Sequence, residues 1–276
     1  MLNEPANQPT HAGPIVLLTD FGITDPFVGQ MKGAIAGIAP GAMIVDLCHS
    51  VPPQRVDVAA MFLEGSREYF PAGSIFVTVV DPGVGTSRRA VIVNVRRQYF
   101  IGPDNGVLFP LIYKVNWSGV QIENPKYRLA EVSATFHGRD ILAPAAAHLA
   151  KGATMDSFGR KVSALSPLVL PKAHLEGDII RGVIVHIDSF GNGWTNISKR
   201  TLLEAGAWED RAALWINTGT TTIKGVSETY QSGQKNAPVA VINSFNLLEI
   251  AWPDGSATRN LGLQQGTGVQ VRIETS

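Results

Sequence analysis

Residues 79–90, VVDPGVGTSRRA, place an acid, a set of turn-forming residues and two arginines directly after a β-branched run. Glycines after a strand suggest a phosphate cradle, and the spacing excludes both common forms. A P-loop needs Gly-x-x-x-x-Gly-Lys-Ser/Thr, whose lysine reaches the phosphates and whose hydroxyl holds magnesium. Neither group stands at those positions. In Gly83-Val84-Gly85-Thr86-Ser87-Arg88 an arginine occupies the place of the third glycine of a dinucleotide fingerprint, where close helix-to-strand packing is required. What remains is Asp81 and, seven residues on, Arg88. If the loop folds back on itself, carboxylate and guanidinium face one another across its mouth. That is either a charged site or a surface turn closed by a weak ion pair.

Other chemistry-bearing residues are spread along the chain. Thr19-Asp20-Phe21-Gly22 ends an apolar run, so Asp20 lies at the carboxyl end of an expected parallel strand, where open α/β sheets bind ligands. It is a candidate to grip a ribose diol, or an acid that closes its own turn. Asp25 before Pro26 reads as a helix N-cap with a first-turn proline. Asp104-Asn105-Gly106 is a turn signal. In ATFHGRDILAP, His137 opens a helix beside a glycine, as acid, base or orienting donor, or as a cap. Cys48-His49 has no evident third partner and reads as buried filler. Further on, HIDSFGNGWTNIS crowds Asp188, Phe190, Asn192 and Trp194 into seven residues. Aromatics to stack a base, an amide for its edge and a carboxylate for an ammonium suit an amino-acid nucleoside. A glycine-bearing hairpin plugged by hydrophobic rings is the alternative.

These residues need a frame. The chain has 276 residues and 45% hydrophobic content, enough for a large core, in one big or two ordinary domains. Basic and acidic residues balance at 23 each, so no field argues for nucleic acid or a membrane surface; a small polar ligand is expected. A single cysteine excludes an intrachain disulfide and suits a reducing compartment, and the scattered histidines offer no metal-ligand spacing. The N-terminus reads as a frayed polar tail over 1–12, and no apolar run approaches a membrane span, which makes the cytoplasm the default. From residue 14, IVLLTD, DPFVGQMKGAIAGI, MIVDL, DVAAMFLEGSREYF and SIFVTVV alternate strand and helix. This predicts an α/β domain over 13–168, a mainly parallel sheet flanked by helices and extended by AVIVNV and YFIG. A proline-containing linker over 169–177 follows, then short strands over 178–276, a smaller all-β, barrel-like domain.

Seven ordered blocks, LLTDFGITDPFVGQMKG, VDLCHSVPP, VVDPGVGTSRRA, GPDNGVL, FHGRD, DSFGNGWTNI and INSFNLLEIA, resemble the S-adenosylmethionine-cleaving family of S-adenosyl-L-methionine hydrolases (hydroxide adenosyltransferases), fluorinases and chlorinases. The likeness runs from about residue 14 to the C-terminus. It implies attack by water or hydroxide at ribose C5′ of S-adenosyl-L-methionine, giving adenosine and L-methionine. The hydrolase branch carries an acid, arginine and histidine set, matched here by Asp81, Arg88 and His137. The resemblance further assigns Asp20 to the ribose hydroxyls, Asp25, Asp188 and Ser244 to the methionine part and Asn192 to adenine, with Phe190 and Trp194 walling the base pocket. It implies no metal and no cofactor, and a homotrimer whose sites lie between subunits. One departure is AWPDGSA, where Pro253 has no amide hydrogen to offer adenine. The alternatives are a chlorinase-like halogenase and a non-catalytic sensor of adenosine or S-adenosylmethionine.

Overall fold

The computed structural model describes residues 13–232 and 236–273; the expected polar tail lies outside the described residues. The chain divides after Leu168 into two compact units.

The first unit is a six-stranded sheet with helices on both faces. Its elements are β1 (Ile15–Thr19), α1 (Phe27–Ile38), β2 (Ile44–Cys48), α2 (Val56–Ser66), β3 (Ile75–Val79), β4 (Ala90–Val95), β5 (Gln98–Pro103), α3 (Phe109–Ile112), β6 (Ser118–Gln121) and α4 (Ala143–Ala150). The strand order is β2-β1-β3-β5-β4-β6. The pairs β1 with β2, β1 with β3 and β3 with β5 are parallel, and β4 runs antiparallel to β5 and β6. All five residues of β1 are buried, because both faces of the sheet are covered. Ile15 and Leu17 pack with α1 and α4 on one face, while Val16 and Leu18 pack with α2 and α3 on the other, as the two-residue period requires. The β4–β5 hairpin turns on Arg96 and Arg97, both at positive φ (49° and 64°). A two-residue turn of this kind usually recruits Asn-Gly, so the sequence carries no signal for it.

The second unit is an eight-stranded antiparallel, barrel-like sheet. Its elements are β7 (His174–Glu176), β8 (Ile179–Ile187), β9 (Gly193–Ser198), α5 (Lys199–Glu204), β10 (Trp215–Thr218), β11 (Thr221–Lys224), β12 (Val239–Ile242), β13 (Leu247–Ala251), α6 (Ala257–Leu261) and β14 (Gly268–Arg272). The order is β11-β10-β14-β8-β9-β13-β12, with β7 on β8. The first half of β8 lies between β7 and β14 and its second half pairs with β9, which lets one long strand serve both sides of the sheet. Ile180, Ile184, Ile197, Ile216, Leu248 and Val269 fill the interior. Two sequence expectations change. Part of the expected linker is the strand β7, and GWTNIS, read as part of a hairpin loop, is β9. Its polar residues mask the strand signal because Thr195, buried at 0% exposure, bonds back to the backbone of Ile197.

Candidate active site

Asp81 follows the carboxyl end of β3, where the chain leaves the sheet. Arg88 returns across the loop: its Nε donates to Asp81 Oδ1 at 2.9 Å, and a terminal nitrogen donates to Asp81 Oδ2. The same nitrogen lies 2.9 Å from His137 Nδ1. A guanidinium has no acceptor, so Nδ1 accepts and the imidazole proton sits on Nε2. Both members of the ion pair are nearly buried, with side-chain exposures of 10% for Arg88 and 5% for Asp81. The exposed-turn reading of this loop therefore fails.

Two glycines bring His137 to this loop. Gly85 has φ +81°, and a Cβ there would lie 2.4 Å from Ala134 O; a Cβ at Gly138 would lie 3.0 Å from Val79 Cγ1 on β3. His137 caps a wide π-helical turn, Gly138–Leu142, that leads into α4. Pro144 supplies no N–H to the turn before it, and the carbonyl of Asp140 instead accepts from Leu129 N at 2.8 Å. Such wide turns mark many functional sites. Asp140, fully buried, binds Arg139 (Nε to Oδ1, 2.6 Å) and Ser133 N (2.8 Å), which pins the segment preceding His137. Asn105 Nδ2 donates to Val80 O at 2.9 Å, tying the Asp104-Asn105-Gly106 turn to the residue before Asp81.

Burial holds His137 below the ordinary imidazole range, and the charge of Arg88 adds to it, outweighing the pull of Asp81 and Asp140. The neutral ring that accepts from Arg88 therefore survives as pH falls past 6.5 and is lost only lower, when protonation sets two cations face to face. The acidic limb of the kcat profile is expected below pH 6.5, and to vanish in His137→Gln, which keeps an acceptor. A limb at or above 6.5 that persists in the variant would contradict this. Stability follows the same sign: none is lost to this group above its unfolded value, and some is lost as pH drops below it.

At the end of β1, Asp20 Oδ2 accepts from Gln54 N at 2.8 Å. Asp25 is exposed in the turn before α1. It is not the helix cap expected from Asp-Pro: Pro26 itself takes the N-cap position in helical geometry (φ −76°, ψ 0°), with no side-chain cap. His49 is not filler either, since Thr19 and Asp46 flank its ring at 2.9 and 3.0 Å. The pairing was hidden in sequence because Thr19 is thirty residues away.

The second unit holds a cavity of about 630 Å³ whose lining includes Asp188, Phe190, Asn192, Trp194 and Ser244. Asp188 follows β8, and its Oδ1 accepts from the backbone N–H of Phe190 and of Asn192, both at 2.9 Å. Its Oδ2 accepts from Trp194 Nε1 at 3.3 Å. The acid thus shapes the turn that presents its neighbours. Trp194 packs on Phe245 with ring centroids 4.8 Å apart, and Phe190 is 75% exposed. The turn after Trp252 closes one wall, where Gly255 N donates to Trp252 O at 3.0 Å.

Among the described residues, no group of three or more His, Cys, Asp or Glu is placed to hold a metal ion. No helix among them is long and apolar enough to cross a membrane.

Family models of the SAM hydroxide adenosyltransferase N-terminal and C-terminal domains match residues 15–159 and 182–270. The chain belongs to the SAM hydroxide adenosyltransferase family. It is 39% identical to the (R)-S-adenosyl-L-methionine hydrolase of Thermus thermophilus, over 94% of this chain and 99% of that one. A fluorinase of Actinoplanes sp. is 31% identical over 95% of this chain and 99% of its own. A crystal structure of an uncharacterized conserved protein from Thermotoga maritima superposes with a TM-score of 0.87 at 33% identity, covering 94% of this chain and 99% of that chain.

Sequence reading missed Glu249 and Tyr230, which line the cavity of the second unit. Glu249 is 1% exposed; burial raises its pKa and the charge of Asp188 adds to the rise, while the polar side chains of Asn243, Tyr230 and Asn192 oppose it. Burial, then Glu249, pushes Tyr230 up to about 12. Glu249 is the single acid in the otherwise apolar strand β13, and spacing alone gives no sign of what it faces.

Proposed function

We propose that this protein hydrolyses S-adenosyl-L-methionine at ribose C5′ to adenosine and L-methionine, with Asp81, Arg88 and His137 as its catalytic residues. The observation that carries the reading is the Arg88 fork, which grips both oxygens of Asp81 and touches His137 in one nearly buried cluster. Water's oxygen forms a bond to C5′ as the C5′–S bond breaks. The electron pair of that bond stays on sulfur, and the water's proton passes to Asp81 or through it to solvent. Because the sulfonium is already positive, sulfur leaves neutral, so the step needs neither a general acid nor a metal or cofactor. Positioning and exclusion of bulk water carry the acceleration.

Asp20 is assigned to the ribose hydroxyls and Asp25 to the methionine part. In the cavity of the second unit Asn192 reads adenine between Phe190 and Trp194, and Asp188 and Ser244 serve methionine. A carboxylate already matched by Arg88 favours neutral water with a proton to give over chloride, which would meet a like charge. Incubation with S-adenosylmethionine, with and without chloride, followed by product chromatography, tests this. Adenosine and methionine support it; 5′-chloro-5′-deoxyadenosine would make the protein a halogenase, and binding without turnover a sensor.

The site is assigned to residues of both units, and a head-to-tail ring of three copies completes such a site by closed symmetry. A homotrimer is the expected assembly, and light scattering showing a fully active monomer at assay concentration would refute it. A single cysteine and a balanced charge suit the cytoplasm and a small-molecule substrate, with no nucleic-acid or membrane partner.

A further inference from the structure

The ends of β1 and β2 carry a chain of polar contacts that the reaction as described does not use. Lys32 Nζ lies 2.6 Å from Asp46 Oδ2, and Asp46 Oδ1 lies 3.0 Å from His49 Nε2, bent from an ideal hydrogen bond but in close contact. His49 Nδ1 lies 2.9 Å from Thr19 Oγ1, which in turn accepts from Phe21 N at 3.3 Å. Burial works upward on the Asp46 carboxyl, but Lys32 and His49 outweigh it and hold the group below the usual carboxylate range. An ionised carboxylate only accepts, so the ring proton faces Asp46, and Nδ1 is left to accept from the Thr19 hydroxyl. Thr19 is fully buried and His49 is 7% exposed, so water does not compete for the bond between them.

The backbone shares in the arrangement. The β1–β2 register slips between Leu17↔Asp46 and Leu18↔Cys48, so one extra residue on β2 re-aims His49. His49 O accepts from Gly22 N at 2.7 Å. The turn from Thr19 to Gly22 is therefore tied to His49 at both ends, through side chain and main chain. Asp20 stands in the middle of it.

We propose that His49 is a positioning residue which, with Thr19 and Asp46, fixes the turn 19–22 so that the Asp20 carboxylate meets a ribose diol. This rests on the nucleoside reading of the site. The test measures adenosine and 2′,3′-dideoxyadenosine binding by calorimetry in the wild type, Thr19→Val, Thr19→Ser and His49→Gln. Wild type is expected to prefer adenosine. Thr19→Val keeps the shape of the side chain and removes its hydroxyl, so adenosine should weaken roughly three- to tenfold, the worth of one hydrogen bond, while dideoxyadenosine binding stays the same. Thr19→Ser should restore the preference, and in hydrolysis Thr19→Val should raise KM with little change in kcat. Should Thr19→Val not fold, His49→Gln carries the same expectation. An equal loss for both ligands, or no loss, overturns the proposal. A wild type that binds both ligands equally overturns it too, leaving the hydrolase reading standing. A wild type that binds neither overturns both.

Discussion

Asp81→Ala is expected to bind S-adenosylmethionine as the wild type does and to hydrolyse it roughly 10²–10⁴ times more slowly, the usual contribution of a positioned acid or base. Affinity should survive because the ribose, base and amino-acid contacts are assigned elsewhere, to Asp20 and to the cavity of the second unit. The rate should fall because the variant removes the acceptor that orients water and leaves Arg88 nearly buried without its carboxylate partner. His137→Ala should also slow turnover, since it loses the Arg88 contact. The double variant should lose less than the two single losses combined, because the three side chains act as one unit. Single-turnover rates and calorimetric affinities measured on the same preparations decide it. A near-wild-type rate in Asp81→Ala, with adenosine still the product, would leave the holder of the nucleophile unidentified.

Gly85→Ala should be nearly as damaging, although the residue touches no reacting atom. Its φ of +81° strains any side chain, and the added Cβ would sit 2.4 Å from Ala134 O. Ordinary contact begins near 3.4 Å, so loop and segment must part by about 1 Å. They are the segments that carry Asp81 and Arg88 on one side and lead to His137 on the other. A misplacement of that size costs on the order of 10² in rate, and the positive φ alone makes alanine destabilising. Gly83→Ala is the control, because its Cβ would meet Thr86 Oγ1 at an ordinary 3.6 Å. Steady-state rates and melting temperatures of both variants check the argument, which fails if Gly85→Ala hydrolyses like Gly83→Ala.

The sequence by itself determined the layered architecture of the first unit, because a five-residue strand buried on both faces is apolar almost throughout. Ile15–Thr19 and Ile75–Val79 show that run, each broken by a single buried threonine. It also singled out the short segments proposed to hold the chemistry, where acids, arginines and paired glycines follow a strand. Local rules failed where partners are distant or atypical. The Arg96-Arg97 turn lacks the glycine that normally announces a hairpin. Asp25 precedes a proline yet leaves the helix N-cap to Pro26.

Only the tertiary structure decided which partners the charged groups meet and how deeply they are buried. Asp81 and Arg88 are seven residues apart and His137 is forty-nine from Arg88. Spacing therefore allowed an exposed ion pair as readily as a site, and burial to 5–10% exposure removed that choice. His49 looked partnerless until a register slip between two parallel strands set it against Thr19. Glu249, which sequence reading passed over, is 1% exposed in the lining of the second unit's cavity. In each case the deciding quantity was the environment of a polar atom. That environment is set by residues far away in sequence, whereas the apolar pattern that builds the sheet is written locally along each strand.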